Sequence, residues 1–396
     1  MFGAIANGTT RVRGFLKGAD CLSTIGCFGA MGINIEETGD EILVHGKGLH
    51  GLEAPADVLD CGNSGTTMRL ICGILAAQPF DCALTGDASI RKRPMDRVIT
   101  PLSMMGASIK SIDGTGCAPL AISGRGLHAI SYKSPVASAQ VKSSVLLAGL
   151  YADGVTSVTE PYLSRNHTEL MLQDFGAHVS SAGCTASITP QGELHAAEVD
   201  VPGDISSAAY FMTAAMLVPG SELIIKNVGI NPTRSGIIDI YREMGADISV
   251  INKRTRSREP AADLLVRYSR LHGAEIGGAV IPTLIDELPV IAVAACFADG
   301  TTIIRDAQEL KVKESNRIAV MTQGLRAMGA DVSETHDGMI IHGGRPLHAA
   351  QIDSRADHRI AMSFAIAGRI CGDMPTITGA DCVTVSYPGF FEALGI

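Results

Sequence analysis

The chain has 396 residues, 46% of them hydrophobic and 18% charged, with a net charge of −9; this describes a globule with material for two domains and excludes a polyanion held by bulk charge. Only 4% of residues are aromatic and there is no Trp, which argues against stacking platforms for nucleic acid or sugar. The ten cysteines form no Cys-x-x-Cys pair or zinc spacing and sit mostly in apolar runs, as expected of buried thiols in a reducing cytoplasm, and no charge-free apolar run is long enough to span a membrane.

Met1-Phe-Gly-Ala-Ile-Ala-Asn7 reads as the end of an apolar helix and runs into a strand, Asn7-Gly-Thr-Thr-Arg-Val12. A Met-Gly turn follows at Met31-Gly32-Ile33. The phrase returns as Met105-Gly106-Ala107, Phe175-Gly176-Ala177, Met244-Gly245-Ala246 and Met328-Gly329-Ala330. Glycine there suits a helix end that needs positive φ. A hairpin pattern follows each copy, as in Asp331–Ile341 with Asp337-Gly338 at the turn. A second phrase, a small polar turn entering a strand, alternates with the first: Ala152-Asp-Gly-Val-Thr-Ser-Val158, Pro219-Gly-Ser-Glu-Leu-Ile-Ile225, Ala298-Asp-Gly-Thr-Thr-Ile-Ile304. Each unit therefore reads helix, strand, helix, Met-Gly-Ala, strand, turn, strand. About six such units, of roughly 70 residues each, fill the chain, a period of repeated α/β modules.

Nearly uniform apolar helices are expected at 64–79, 138–152, 205–218, 287–298 and 358–371. A helix apolar on every side belongs in a core. Each opens on a polar phrase. Leu59-Asp-Cys-Gly-Asn-Ser-Gly-Thr-Thr-Met-Arg69 brings the hydroxyls of Ser64, Thr66 and Thr67 and the Arg69 guanidinium to a helix start. Unpaired N–H groups and the helix dipole favour anions there. Arg91-Lys-Arg93-Pro94 reads as a carboxylate or phosphate clamp, or as a solvated basic turn. Ser164-Arg165-Asn-His-Thr-Glu169 opens a helix with Ser164 as its N-cap, and Asp286 and Asp357 read as N-caps of two more. Lys313-Glu314-Ser-Asn-Arg317 places Glu314 and Arg317 at i, i+3. That is either a surface ion ladder or a carboxylate held among cations for proton transfer. Gly46-Lys-Gly-Leu-His-Gly51 has the G-x-G-x-x-G spacing but no helix after it, so a dinucleotide site is rejected. Parallel buried helices aim their polar starts at a common anion-binding region.

Eight phrases occur in order: Asp60-Cys-Gly-Asn-Ser-Gly-Thr-Thr-Met-Arg69, Arg93-Pro-Met95, Ser138-Ala-Gln-Val-Lys142, Ser164-Arg-Asn-His-Thr-Glu169, Pro202-Gly-Asp-Ile-Ser-Ser207, Asp286-Glu-Leu-Pro289, Val312-Lys-Glu-Ser-Asn-Arg317 and Asp357-His-Arg-Ile-Ala-Met362. With them the chain resembles the EPSP synthases, the 3-phosphoshikimate 1-carboxyvinyltransferases of the shikimate pathway, along essentially its whole length.

The resemblance implies an α/β enolpyruvyl transferase fold, an inverse α/β barrel-like arrangement of six repeated βαβαββ units with buried parallel helices. It implies two domains that close on substrate, residues 1–228 with an incomplete first unit and residues 229–396, with a hinge near 227–231. It also implies transfer of the enolpyruvyl group of phosphoenolpyruvate to the 5-hydroxyl of shikimate 3-phosphate, releasing phosphate. No cofactor or metal is implied, and the expected protein is a cytoplasmic monomer, a glyphosate target, with no nucleic-acid or membrane partner. By motif, Ser138, Ala139, Gln140, Ser164 and Arg165 resemble shikimate 3-phosphate binders, with Ala139 where some members have serine. Arg93, Arg317 and Arg359 resemble the grip on phosphoenolpyruvate, with Gly65 beside it; Asn63, Thr66 and Lys313 resemble further substrate contacts. Asp286 resembles the carboxylate at the ring hydroxyls, and Glu314 the proton-transfer group.

Two departures qualify the match. The family's opening motif, Pro-Gly-Asp-Lys-Ser-Ile-Ser-His-Arg, is expected upstream of Met1, where it would supply a lysine, a serine and an arginine to the site. By comparison with the other repeats the chain from Met1 lacks roughly 20 residues of its first unit, and little turnover is expected of it. Val385 precedes Ser386-Tyr387-Pro388, where some members carry Lys. The alternatives are a truncated, inactive or ligand-binding-only form and the sister enzyme acting on UDP-N-acetylglucosamine. The latter uses a loop cysteine ahead of an Arg-Pro, and Asp87-Ala-Ser-Ile-Arg-Lys-Arg-Pro94 has none.

Overall fold

All five recurring glycines end helices with positive φ, from +82° at Gly32 to +98° at Gly329, a conformation open to a residue without Cβ. The computed structural model describes residues 1–256 and 258–395. It adds a second recurring pair. The backbone N–H groups of His128, His195, His272 and His348 donate to the carbonyls of Met105, Phe175, Met244 and Met328, at 2.8–3.0 Å. The leucine before each histidine is buried, and each imidazole lies over the neighbouring glycine, where an added methyl would touch it. In the first copy Glu53 takes the histidine's place, donating to Met31 O at 3.0 Å.

Four sheets share one topology. In the sheet of Leu59–Asp60, Asp81–Thr85, Leu120–Ser123 and Ser108–Ser111, a short edge strand pairs parallel and the rest antiparallel. The sheet of Asn7–Arg13 gets its parallel edge from Glu198–Asp200. Among the described residues the remaining two sheets are smaller. One has three strands, with its parallel edge reduced to a bridge between Gly203 and Val228. The other is the parallel pair Gln351–Asp353 and Thr376–Thr378.

The chain divides into two units, Met1–Val201 and Pro202–Ile396. The boundary thus falls ahead of the expected 227–231 segment. The reason is the helix Ile205–Leu217, whose Ile205, Met212 and Met216 are buried in the second core. The hinge expected near 227–231 assigned it to the first domain. Asn227 instead marks a bulge in the strand Glu222–Gly229, where pairing with Glu259–Arg267 shifts register and φ is 55°.

The apolar helices lie where the composition put them: Gly65–Leu75, Ala139–Gly149, Ile205–Leu217, Leu288–Cys296 and His358–Cys371. All nine residues of Leu288–Cys296 are buried. Phe2–Ile5 is a buried 3-10 turn in the first core. Close approach sets the register of these helices. At Gly73 a Cβ would come 2.1 Å from Ser144 O. One turn back along both helices Arg69 meets Gln140, so the two run parallel with their polar starts adjacent. In the second unit a Cβ at Gly324 would collide with the Phe364 ring. Two turns back Arg317 meets Asp357. The glycines thereby fix which polar residues face each other.

Candidate active site

In the first unit, the start of Gly65–Leu75 is capped by Ser64, whose Oγ accepts from Thr67 N at 3.1 Å. Thr67 is buried, bonding Ser64 and Thr24, so its role is structural. Arg69 Nη1 donates to Gln140 Oε1 at 2.7 Å, and Gln140 Nε2 to Thr66 Oγ1 at 3.0 Å. Gly65 lies between two guanidinium groups: its Cβ would be 2.9 Å from Arg69 Nη1 and 3.2 Å from Arg93 Nη1. Gly65, Thr66, Arg93 and Gln140 are therefore brought together, with Arg69 at the centre. Asn63 is half-buried in the turn before them. Of the basic run, Arg91 folds back onto Gly86 O and Thr85, and Lys92 is exposed; only Arg93 approaches Gly65.

Ser138 caps the second helix, its Oγ accepting from Val141 N at 3.5 Å, and Ala139 opens that helix. Ser164 does not cap the helix after it. That helix runs His167–Asp174, with Asn166 at the cap position, because Ser164 Oγ instead donates to Glu160 Oε2 at 2.7 Å. The other oxygen of Glu160 accepts from Ser138 N at 2.8 Å. Glu160 thus joins Ser138 to Ser164, and half-buried Arg165 follows.

The second unit assembles four helix starts. Asp204 caps Ile205–Leu217, accepting from Ser206 N and Ser207 N. Ahead of Leu288–Cys296 lie Asp286 and Glu287. Glu287, not Asp286, holds the cap position, and it makes no side-chain cap bond. Asp286 turns away to cations instead: Oδ1 is 3.1 Å from Lys313 Nζ and 3.3 Å from Arg317 Nη1. Arg317 begins the helix Arg317–Ala327, so Lys313 and Glu314 precede it. The surface-ladder reading therefore fails: Arg317 is 1% exposed. Its Nε reaches Asp357 Oδ2 at 2.9 Å and its Nη2 bonds Glu314. Asp357 does cap its helix, accepting from Arg359 N at 3.0 Å, and also accepts from Ser315 Oγ. Arg359 Nη1 donates to Asp286 O at 3.2 Å and lies 3.7 Å from Glu287.

Burial alone works against the Arg317 charge, but Asp357 and Glu314 outweigh it and hold the guanidinium above its ordinary pKa. For Arg359, too, burial opposes the charge and Asp286 prevails. Burial and the neighbouring Arg359 push His358 down to about 4. All five expected residues of this unit, Asp286, Lys313, Glu314, Arg317 and Arg359, are thus joined in one network.

Sequence reasoning missed several members. Arg234 reaches Asp204 at 3.2 Å and Glu287 at 3.6 Å, and it bonds Ser206. Lys142 is buried between Glu160 at 3.0 Å and Glu169 at 2.9 Å. A signal existed for Lys142, a lone charge inside an apolar helix, which has to be paired. Glu160, at a strand end, gave none.

The family profile for EPSP synthase (3-phosphoshikimate 1-carboxyvinyltransferase) matches residues 1–394. A Brevibacillus brevis protein named 3-phosphoshikimate 1-carboxyvinyltransferase is 56% identical over 394 residues, spanning 100% of this chain and 92% of its own. One of the same name from Pelobacter propionicus is 54% identical, with 100% and 91% covered. The 2.37 Å structure of EPSP synthase from Acinetobacter baumannii matches with a TM-score of 0.89 at 48% identity, over 100% of this chain and 91% of that one. With the expected helix starts in place and the match running end to end, this chain belongs to the EPSP synthase family.

Proposed function

We infer that the protein transfers the enolpyruvyl group of phosphoenolpyruvate to the 5-hydroxyl of shikimate 3-phosphate and releases inorganic phosphate. The family match along residues 1–394 supports the reaction. The observation that carries the residue roles is that Asp286 and Glu314 bond the same buried guanidinium, that of Arg317.

The chemistry asks for such a pair. In the addition step the hydroxyl oxygen bonds C2 of phosphoenolpyruvate and gives up its proton, while C3 takes one. In the elimination step the C2–phosphate bond breaks and C3 loses a proton. Asp286 accepts the hydroxyl proton, and Glu314 exchanges the proton at C3. Arg93, Arg317 and Arg359 grip the phosphate and carboxylate of phosphoenolpyruvate, and Lys313 contacts substrate beside Asp286. Ser138, Gln140, Ser164 and Arg165 hold shikimate 3-phosphate, and Asn63, Gly65, Thr66 and Ala139 line the adjoining helix starts. Guanidinium forks suit phosphate and carboxylate together, and preorganised charges stabilise a transition state without reorganising.

The test is phosphate release by the complete protein supplied with both substrates. Glu314→Gln lowers kcat by about 10²–10⁴, with both KM values close to those of the parent. Full turnover in that variant removes Glu314 from the proton-transfer role. The reading includes a monomer in the cytoplasm. The ten cysteines are free thiols, as a reducing compartment keeps them, and sedimentation of the purified protein checks the monomer.

A further inference from the structure

Lys142 is a lysine with no side-chain access to solvent worth the name: 2% of it is exposed. It lies one turn inside an apolar helix, below Ser138. Its ammonium has three donors, and three acceptors surround it: Glu160 Oε2 at 3.0 Å, Glu169 Oε1 at 2.9 Å and Ser164 O at 3.4 Å. Each acceptor comes from a different place, the end of the strand Thr156–Thr159, the helix His167–Asp174 and the loop between. None of the roles assigned above uses this cluster.

Glu160 is its hinge. Oε1 accepts from Ser138 N, and Oε2 accepts from both Lys142 and Ser164 Oγ. A serine hydroxyl has one proton to give. Ser164 spends its proton on Glu160, whereas a phosphate dianion only accepts. We propose that Lys142 and Glu160 are positioning residues for the phosphate of shikimate 3-phosphate: Ser164 moves its hydrogen bond from Glu160 to that phosphate, and Lys142 keeps the carboxylate paired after the exchange. The proposal rests on the reading of Ser138 and Ser164 as phosphate binders.

The exchange explains why a carboxylate is tolerated beside a phosphate site. A buried carboxylate oxygen that loses a donor is costly unless another remains. Lys142 is the donor that remains, and it neutralises the negative charge nearest the substrate. Glu169 completes the ammonium's coordination from the far side, and its Oε2 is buried without a hydrogen-bond partner among the described residues.

The experiment measures shikimate 3-phosphate binding to the complete protein by calorimetry, KM for each substrate, kcat and thermal melting. Ser164→Ala and Ser138→Ala come first. If neither weakens binding of shikimate 3-phosphate, the underlying site reading fails. If they do, Lys142→Met is expected to weaken shikimate 3-phosphate by about tenfold or more, with KM for phosphoenolpyruvate and kcat changed by less than about twofold on that scale. Glu160→Gln keeps an acceptor for the Ser138 amide and lets Ser164 donate elsewhere, so it binds shikimate 3-phosphate at least as tightly as the parent. Glu160→Ala, which loses that acceptor, binds more weakly. A folded Lys142→Met with parental affinity overturns the proposal, as does equal loss in both KM values. Should Lys142→Met fail to fold, the glutamine–alanine contrast at Glu160 decides: equal losses in the two variants sink the exchange.

Discussion

Each unit buries a charged cluster at its helix starts, and the two clusters are built to opposite plans. In the first unit a lysine sits between Glu160 and Glu169, and those charges face inward. What they present is neutral: the hydroxyls of Ser138 and Ser164. In the second unit Arg317 joins Asp286, Glu314 and Asp357, and two of these carboxylates, Asp286 and Glu314, are themselves the groups proposed to move protons. The residue types follow from this. A lysine is a compact charge that can be enclosed, whereas an arginine fork can hold three carboxylates in fixed directions. On the proposed roles, burying charge serves placement in one unit and reactivity in the other.

The largest expected effect comes from breaking the second plan. Arg317→Met strands Asp357, which is fully buried, and takes the Arg317 bonds away from Asp286 and Glu314. Removing one partner of a buried ion pair costs about 3–5 kcal/mol. Thermal melting should drop accordingly, and turnover should be lost. Arg317→Lys keeps the charge but not the fork, so it should recover stability in part and turnover hardly at all. Recovery of both would mean that charge alone matters there and that the contrast with Lys142 is false.

Gly65→Ala tests the edge of the first cluster. The added methyl meets Arg69 Nη1 at 2.9 Å and Arg93 Nη1 at 3.2 Å, so one guanidinium must yield. Overpacking of this kind costs about 1–3 kcal/mol, borne by whichever anion those groups hold. KM for phosphoenolpyruvate should rise several-fold. Glyphosate, which the family resemblance places against the same residues, should lose more. Inhibition constants for the two proteins decide it; equal inhibition removes Gly65 from the anion site.

Much of this was legible in the sequence, and the failures have physical causes. Apolar runs located the five helices Gly65–Leu75, Ala139–Gly149, Ile205–Leu217, Leu288–Cys296 and His358–Cys371, because burial on all sides needs no partner to be named. The recurring Met-Gly-Ala glycines were legible because positive φ is a local requirement. Ser164 and Asp286 were misread as caps. A polar residue at a helix start can cap it or turn to a stronger partner, and those partners, Glu160 and Arg317, come from other elements. Arg317 was read as a possible surface residue because its i, i+3 spacing with Glu314 assumed a helix that begins only at Arg317. The Leu-His pairs escaped notice because a buried leucine and a backbone hydrogen bond leave no mark on polarity. The hinge expected with the resemblance fell later than the boundary between the units, since a motif says nothing of which core the helix after it joins.

The smallest effect is on pH dependence, and it separates the clusters by titration. His358 follows the capping Asp357 in the second unit, beside Arg359, Arg317 and Glu314. Burial and the Arg359 charge lower its pKa from 6.5 to about 4. In the unfolded chain it takes a proton as pH falls through 6.5, while the folded protein refuses one until about 4. The unfolded state therefore binds more protons across that window. Stability is lost as pH falls from 6.5 toward 4 and stays lost below. The slope from one such group is at most about 1.4 kcal/mol per pH unit. Urea melts of the parent and of His358→Asn between pH 6.5 and 5, above the range where ordinary carboxylates titrate, should give a shallower slope in the variant. Identical slopes would show that His358 takes up its proton equally in both states, and that the cations at its helix start do not reach it.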